Sequence, residues 1–322
     1  MTDNQSKNKT TLAYGNWKSE ISADLIVSDS IAIDEPKLTA SCIYYIERRP
    51  QEKGRCVIVS FSDDKYTDVL PEPYSARSRV HEYGGGSYYV DEELLFFVND
   101  SDQDIYCIKN SQLTRITITE NKRFADFSYD RKLHRLIAIC EVHDETSVTN
   151  CIVSIDISSG EIRTIVSGND FYASPRLNSS ADRLCWQSWN HPNMPWDGNQ
   201  LYLADINSNG QLINTRHIAG ATDISVFQPQ WSPDDILYFI SDDSGWWHLY
   251  RCIETGSETC IEQLTRGEIE LGLPQWVFAQ STYAFINRSQ ILCCYQAGGK
   301  TALAILSTAE PATLTPLATH WQ

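Results

Sequence analysis

Short apolar runs separated by polar turns recur along the whole chain. The runs are rich in β-branched and aromatic residues, and apolar and polar positions alternate within them, as in half-buried strands. None of them sustains the i, i+3, i+4, i+7 spacing of apolar residues that an amphipathic helix requires. Asp, Pro and Gly between the runs favour tight turns. The pattern therefore predicts an all-β protein.

The runs are organised as a repeat. In each copy a polar lead-in precedes an apolar strand, a second strand that often contains Leu-Tyr, and a short closing strand; the clearest copy occupies residues 230–265. Six units can be counted at a spacing of about 45 to 55 residues, the range expected for four-stranded propeller blades. One apolar run from each unit lies at residues 42–46, 94–98, 135–139, 183–186, 236–240 and 283–286.

We therefore predict a β-propeller of four-stranded antiparallel blades, with six blade units and a truncated seventh that starts near Trp321. A pair of β-sandwiches would account for the strands but not for the lead-in that restarts each unit. Residues 1–16 are predicted to be a flexible N-terminus because they are polar and precede the repeat. Residues 17–322 are predicted to form the propeller domain.

The charge balance argues against two classes of partner. The chain of 322 residues carries 42 acidic and 26 basic residues, a formal net charge of −16. Such a surface repels phosphate backbones and anionic lipid headgroups, so neither nucleic acid nor a membrane is expected as a partner. The first ten residues are polar, and no apolar run follows that could serve as the core of a signal peptide. We expect a cytoplasmic protein.

Metal and cofactor chemistry have little support in the sequence. The ten cysteines include no Cys-x-x-Cys pair, which argues against a zinc ribbon or a thioredoxin-like site. The seven histidines are dispersed and form neither His-x-His nor His-Glu-x-x-His. The glycines at 84–86 lack the later Gly and Lys of a phosphate-binding loop. No metal site and no cofactor are expected.

Four phrases carry a more specific signal. They are Tyr-Ile-Glu-Arg-Arg-Pro at 45–50, Arg-Val-His-Glu-Tyr-Gly-Gly-Gly at 79–86, the Trp- and Pro-rich stretch at 186–198, and Ser-Asp-Asp-Ser-Gly-Trp-Trp-His-Leu-Tyr at 241–250. In this order and spacing they resemble the N-terminal β-propeller of prolyl oligopeptidase-type serine peptidases, in the acylaminoacyl-peptidase and dipeptidyl-aminopeptidase branch. The resemblance covers nearly the whole chain.

The resemblance implies a propeller that caps an α/β-hydrolase domain and filters peptides by size before they reach a Ser-His-Asp triad. That domain needs a Gly-x-Ser-x-Gly elbow, which the chain lacks: Ser87 follows Gly85 at the right distance, but Tyr89 stands where the second Gly belongs. We therefore expect no catalytic residue in this chain, which would be a fragment or truncated relative of a serine exopeptidase or oligopeptidase.

Two alternatives stay open at this point. The chain is either a gating domain of such a peptidase or a freestanding propeller that binds a protein or peptide on one rim. An enzyme that uses metal or acid chemistry in the central channel is less favoured, because no ligand cluster recurs in the blades. A propeller cut before its last blade also exposes strand edges, so self-association is a further possibility.

Candidate substrate-binding residues come from three of the four phrases. Glu82 is predicted to hold a substrate amino group by charge-assisted hydrogen bonds. The structural alternative is that Glu82 and Arg79 neutralise each other inside the propeller while the glycines form a tight turn. Trp186 and Trp189 are expected to anchor a loop. The complete set of candidates is Arg79, His81, Glu82, Tyr83, Trp196, Asp197, Trp246 and Trp247.

Overall fold

The computed structural model describes residues 11–28, 30–255, 258–309 and 311–318. Within these ranges the chain forms six four-stranded antiparallel sheets, each built from four consecutive strands in chain order. The sheets are the blades of a propeller, so the predicted all-β class and the six predicted units are confirmed. The predicted seventh unit, which starts near Trp321, lies outside the described residues and stays a prediction.

Blades 1 to 3 are formed by the first half of the chain. Blade 1 contains β1 (Ala32–Leu38), β2 (Ile43–Arg49), β3 (Arg55–Ser62) and β4 (Lys65–Asp68). Blade 2 contains β5 (Tyr88–Val90), β6 (Leu95–Val98), β7 (Ile105–Lys109) and β8 (Gln112–Arg115). Blade 3 contains β9 (Lys122–Asp130), β10 (Arg135–His143), β11 (Val148–Asp156) and β12 (Ile162–Val166).

Blades 4 to 6 follow with the same order of strands. Blade 4 contains β13 (Phe171–Leu177), β14 (Arg183–Trp189), β15 (Gln200–Ile206) and β16 (Leu212–Gly220). Blade 5 contains β17 (Val226–Trp231), β18 (Leu237–Ser241), β19 (His248–Thr255) and β20 (Glu258–Gln263). Blade 6 contains β21 (Tyr283–Asn287), β22 (Gln290–Ala297), β23 (Lys300–Ser307) and β24 (Thr313–Pro316).

The segment before blade 1 contains a short helix, α1 (Ala23–Ser28), which the apolar spacing does not predict. Its start is marked by Ser22, whose hydroxyl oxygen accepts a hydrogen bond from the Leu25 N–H at 3.0 Å. A helix of six residues is too short to show a periodic apolar stripe. Of the predicted flexible segment, residues 1–16, the first ten lie outside the described residues.

Buried apolar side chains fill the spaces between consecutive blades. There are five such clusters, and each joins two consecutive blades, from blades 1 and 2 to blades 5 and 6. Phe96 of blade 2 and Phe124 of blade 3, for example, are fully buried in one cluster. In the described part of the chain none of these clusters joins blade 6 to blade 1, and Ile33 and Leu38 of β1 are 64% and 77% exposed.

The pairing register shifts within the innermost strands of five blades, as at a β-bulge. In four of these strands one residue takes the left-handed conformation, and the bulge changes the direction of its side chain. Several of these side chains then bond the backbone of a neighbouring blade; the Asp126 carboxylate, for instance, accepts the Ser174 N–H at 2.7 Å. The four residues are Glu35 (φ 51°), Asp126 (φ 58°), Ser174 (φ 52°) and Gln228 (φ 49°).

Candidate functional site

A cavity of about 370 Å³ opens where the loops before blade 2, after β14 and before blade 6 meet. We call it the aromatic pocket. Its walls are mostly apolar and include two of the sequence phrases, 79–86 and 186–198, which lie far apart in the chain. Trp189 of the second phrase ends β14 and is buried, so this phrase begins as a strand and becomes a loop only after that residue.

The deep wall of the aromatic pocket is a set of packed rings. Phe171 and Trp189 face each other across β13 and β14, and their rings stack with centroids 5.5 Å apart. The His81 ring lies 5.1 Å from Phe171 and 5.0 Å from Phe278. His191 adds an edge-on contact with Phe171 at 4.9 Å. Such a wall suits an apolar or aromatic group of a ligand.

The outer rim of the pocket carries exposed aromatic side chains. The indole rings of Trp196 and Trp276 lie 4.4 Å apart, and the Tyr83 ring lies 5.9 Å from Trp276. Tyr83 is 65% exposed and Trp276 is 52% exposed. Large exposed rings around a concave apolar surface are typical of a binding site.

Charged groups line the side of the pocket formed by blade 3. Glu141 of β10 is buried; its Oε2 accepts the His81 N–H at 2.5 Å and its Oε1 contacts the His143 imidazole. Arg123 of β9 lies between two carboxylates, with its Nη1 atom 2.6 Å from Glu82 Oε1 and 3.5 Å from Glu141 Oε1. One arginine therefore joins the rim of the pocket to its buried acid.

Glu82 is the exposed member of this group, with 75% of its side chain accessible. The hydrogen bond from Arg123 lowers the pKa of the Glu82 carboxyl, which keeps it ionised at neutral pH. Its second oxygen, Oε2, accepts no hydrogen bond within the described ranges. Burial lowers the pKa of the His81 imidazole, while Glu141 and Asn150 act in the opposite direction. The pocket thus presents one open carboxylate next to neutral aromatic walls.

Backbone geometry holds these side chains in place. His81 and Glu82 have left-handed φ values of 55° and 63°, which are uncommon for residues other than Gly, although His, Asn and Asp adopt them more often than the rest. Gly84 accepts the Phe278 N–H at 3.0 Å, and a Cβ atom at Gly85 would lie 2.5 Å from the Phe278 carbonyl oxygen. Only glycine permits this approach. It places the 81–83 turn beside the segment that carries Trp276.

The structure brings four of the eight predicted residues to the aromatic pocket: His81, Glu82, Tyr83 and Trp196. Arg79 is not among them, because its guanidinium pairs with Asp100 at 2.8 Å. The suggested neutralisation of Arg79 by Glu82 is therefore wrong, since Glu82 pairs with Arg123 instead.

The other three predicted residues also lie outside the pocket lining. Asp197 accepts the Met194 N–H at 2.8 Å and so closes the loop that presents Trp196. Trp246 is partly exposed on blade 5, and the neighbouring Trp247 ring packs against Phe227 at 6.2 Å. The sequence phrases alone do not show whether Asp197, Trp246 and Trp247 contact the rest of the protein or a ligand.

Sequence reasoning missed Trp276, Phe278, Phe171 and Glu141. Trp276 stands in the polar lead-in to blade 6, where an exposed aromatic residue is a detectable signal. Glu141 is the only acid inside the long apolar strand β10, which is also a detectable signal because a buried carboxylate needs partners. Phe171 and Phe278 carry no signal that separates them from core residues.

The described ranges hold no group of three or more His, Cys, Asp or Glu residues placed to bind a metal ion. Among the same residues, no helix has the length and apolar character needed to cross a membrane.

The sequence matches no protein-family model and no curated protein. Solved structures do match. A puromycin-hydrolyzing peptidase of Mycobacterium tuberculosis is 28% identical with a TM-score of 0.86, over 98% of this chain and 50% of that chain. Puromycin hydrolase is 25% identical with a TM-score of 0.87, over 98% of this chain and 51% of that chain. An oligogalacturonate lyase with manganese, at 14% identity and a TM-score of 0.63 over 88% of this chain and 75% of that chain, shares the fold alone.

The chain spans about half the length of the two peptidases that it matches. The matched half is their β-propeller domain, which agrees with the six blades and with the sequence phrases that line the aromatic pocket. The predicted resemblance is confirmed: nearly the whole chain matches the β-propeller domain of prolyl oligopeptidase-family peptidases.

Proposed function

We propose that this chain is the non-catalytic propeller of a serine peptidase, and that it shapes and gates the access of peptides to an α/β-hydrolase domain. The observation that carries the proposal is the aromatic pocket, because it combines apolar walls with a few charged groups. That combination suits a short peptide, whose side chains are apolar in part and whose termini are charged.

In this proposal the pocket holds an apolar side chain of the peptide between Phe171, Trp189 and Trp276. The peptide amino group lies at Glu82, whose free Oε2 atom accepts a charge-assisted hydrogen bond. Arg123 and Glu141 fix the position of Glu82 from behind. The ion pair lets Glu82 stay charged without a ligand, so the site does not need to reorganise when a peptide binds.

The partner in the proposal is an α/β-hydrolase domain that supplies the serine nucleophile and cuts the peptide bond by acyl transfer. Support comes from the peptidases that match this chain over about half of their length. A cytoplasmic location is part of the same proposal, since all ten cysteines are free, as is usual in a reducing compartment.

The rival function is a freestanding propeller that binds proteins. A matched pair of ligands separates the two: a short peptide with an aromatic residue, and a folded protein that displays the same residues in a surface loop. A gating domain binds the peptide and rejects the folded protein, because only small ligands enter the pocket. Equal affinity for both would contradict gating. Labelling of the chain by a fluorophosphonate would contradict its non-catalytic role.

Self-association is the remaining part of the proposal. Its support is the exposure of Ile33 and Leu38 on β1, together with the lack of a buried cluster between blades 1 and 6 in the described ranges. Sedimentation velocity tests it: a mass that rises with concentration supports self-association, and a concentration-independent monomer rejects it.

A further inference from the structure

Two arginine side chains, Arg77 and Arg79, project from the segment that precedes blade 2. The side chains between and beside them, Ala76, Ser78 and Val80, are buried, whereas both arginines are exposed. Because buried and exposed residues alternate, the two guanidinium groups lie on the same outer side of the segment. We call these two residues the arginine pair. They present two adjacent cations on one surface.

Hydrogen bonds hold the backbone of the arginine pair in one position. The buried side chain of Gln103 donates through Nε2 to the Arg77 carbonyl at 3.1 Å, and its Oε1 accepts the Arg79 N–H at 2.8 Å. Ser78, between the two arginines, donates its hydroxyl to the Phe124 carbonyl at 2.6 Å. The segment is therefore fixed before any ligand binds, which lowers the entropic cost of binding.

Within the described ranges, the arginine pair forms an ion pair with one carboxylate only, that of Asp100. Its Oδ1 atom lies 3.0 Å from Arg79 Nε and 2.8 Å from Arg79 Nη2. Among the same residues, the Arg77 guanidinium forms no ion pair and donates no hydrogen bond. Two cations thus face one acid, on a chain whose formal net charge is −16. One positive charge is left for an anionic ligand.

The other acids of the loop that carries Asp100 bond elsewhere. Asp102 accepts the Tyr106 hydroxyl at 2.7 Å, and Asp104 forms an ion pair with Arg115. Asp100 is therefore the acid of this loop that is available to both members of the arginine pair.

The arginine pair lies one turn away from Glu82 of the aromatic pocket. The Glu82 N–H donates to the Arg79 carbonyl at 3.0 Å, which closes a β-turn over residues 79–82. Arg123 supports the turn, since its Nη1 atom donates to the Arg79 carbonyl at 2.9 Å and to Glu82 Oε1 at 2.6 Å. A β-turn brings its first and last Cα atoms within about 7 Å, and the Cα atoms of Arg77 and Arg79 are at most about 7 Å apart. The Cα atoms of Glu82 and Arg77 are therefore at most about 14 Å apart.

This separation suits a short peptide. An extended tripeptide places its amino and carboxylate groups roughly 10 Å apart. If its amino group lies at Glu82, as in the proposed function, a carboxylate on the third residue lies within reach of the Arg77 guanidinium. A peptide of six residues spans roughly 20 Å and places its C-terminus beyond the arginine pair.

We propose that the arginine pair binds a carboxylate on the third residue of a short peptide, whose amino group lies at Glu82 and whose apolar side chain lies in the aromatic pocket. Arg77 donates to the carboxylate, and Arg79, already paired with Asp100, adds positive charge. The inference rests on the proposed peptide-binding function and extends it to a substrate class, zwitterionic peptides of about three residues. The carboxylate is either the C-terminus or an acidic third side chain.

Three peptides test the inference by isothermal titration calorimetry: Phe-Ala-Ala with a free C-terminus, Phe-Ala-Ala amide, and Phe-Ala-Glu amide. The free acid should bind roughly tenfold more tightly than its amide, the effect of one charge-assisted hydrogen bond. Tight binding of Phe-Ala-Glu amide as well supports a site that also accepts an acidic side chain, and weak binding of it restricts the site to the C-terminus. If neither acidic peptide binds more tightly than Phe-Ala-Ala amide, the inference is overturned.

The variant Arg77→Met should remove the difference between the free acid and the amide, whereas Arg77→Lys should keep part of it. Arg288→Met, at an exposed arginine in the turn between β21 and β22, is the matched control and should keep the wild-type preference. Circular dichroism checks that each variant folds. An Arg77→Met variant that folds and still prefers the free acid would exclude Arg77 from the site.

Peptide length gives a second test that needs no variant. Phe-Ala-Ala-Ala-Ala-Ala and its amide should bind the wild type with nearly equal affinity, because the C-terminus of six residues lies beyond the arginine pair. The same preference for the acid at both lengths would indicate general attraction to a cationic surface and would overturn the inference.

The outcomes separate this inference from the function on which it rests. Saturable binding of the tripeptides with equal affinity for acid and amide overturns the carboxylate site and leaves peptide binding intact. Saturable binding of none of the peptides overturns the proposed function and the inference together.

Discussion

The indole rings of Trp196 and Trp276 lie 4.4 Å apart, although one follows a strand of blade 4 and the other precedes blade 6. This contact closes the rim of the aromatic pocket from two sides of the propeller. It depends on the fold as a whole, because neither loop reaches the other by local structure. The proposed peptide site is therefore a product of the ring of blades.

Replacement of Trp276 by Ala should weaken the binding of a peptide with an aromatic side chain by roughly tenfold. Because the ring is 52% exposed, the free energy of unfolding should change by less than about 1 kcal/mol. Trp17→Ala, at a 57% exposed tryptophan that is not among the pocket-lining residues, is the matched control. Equal loss of affinity in both variants would argue against the pocket.

Glu82→Gln tests the predicted contact with the peptide amino group. The variant should bind a free-amine peptide and its N-acetyl form equally, whereas the wild type should prefer the free amine by roughly tenfold. Arg123 lowers the pKa of Glu82, so this preference should be the same at pH 7 and pH 5. Calorimetry at both values measures it.

The control for Glu82 is Glu93→Gln, at an exposed carboxylate outside the pocket lining. It should leave the preference for the free amine unchanged. A Glu82→Gln variant that still prefers the free amine would remove Glu82 from the site without affecting the role of the aromatic walls.

Glu35 predicts a pH dependence of stability. Its pKa is raised in the folded chain from 4.5 to about 7, so between these values the folded state binds more protons than the unfolded state. Stability contributed by this group therefore falls as the pH rises through that window. From pH 5 to pH 8 the wild type should lose about 2 kcal/mol more than Glu35→Gln does. Urea unfolding at both pH values measures the loss, and parallel pH profiles would contradict the prediction.

Gly85→Ala should destabilise the propeller by about 3 kcal/mol, because the added Cβ meets the Phe278 backbone and the residue also has a φ of 87°. Gly168→Ala provides the comparison: Gly168 has a φ of 110° but nothing within 4 Å of the added atom. Its cost should be about 1 kcal/mol, from backbone strain alone. Similar costs in urea unfolding would show that the close approach to Phe278 contributes nothing.

The repeat of strands could be predicted from sequence because apolar and polar residues alternate along a strand that has one buried face. For example, the apolar run at 236–240 overlaps β18, and the run at 283–286 lies within β21. Strand β1, the innermost strand of blade 1, was not predicted. Its residues include Asp34, Glu35 and Pro36, because the strand faces the polar channel instead of a core. Strand β1 therefore lacks the apolar pattern on which the prediction depends.

The candidate site could be predicted only where its residues are adjacent in the sequence and form an unusual phrase. His81, Glu82 and Tyr83 lie in one turn whose glycines mark it, and structure places all three at the pocket. The pair of Glu82 with Arg123 joins segments that meet only through blade packing, so the sequence suggests the nearer Arg79 instead. Trp246 and Trp247 form an equally unusual phrase that lies elsewhere.

The central claim is that short peptides bind in the aromatic pocket. A tripeptide that carries a benzophenone in place of its aromatic side chain tests it most directly, by photocrosslinking to the wild-type chain and mapping of the adducts by mass spectrometry. We predict saturable adducts confined to the segments that line the pocket, residues 81–84, 141–150, 171, 189–196 and 275–278. Saturable adducts at any other surface, such as the loop that carries Trp246, would contradict it.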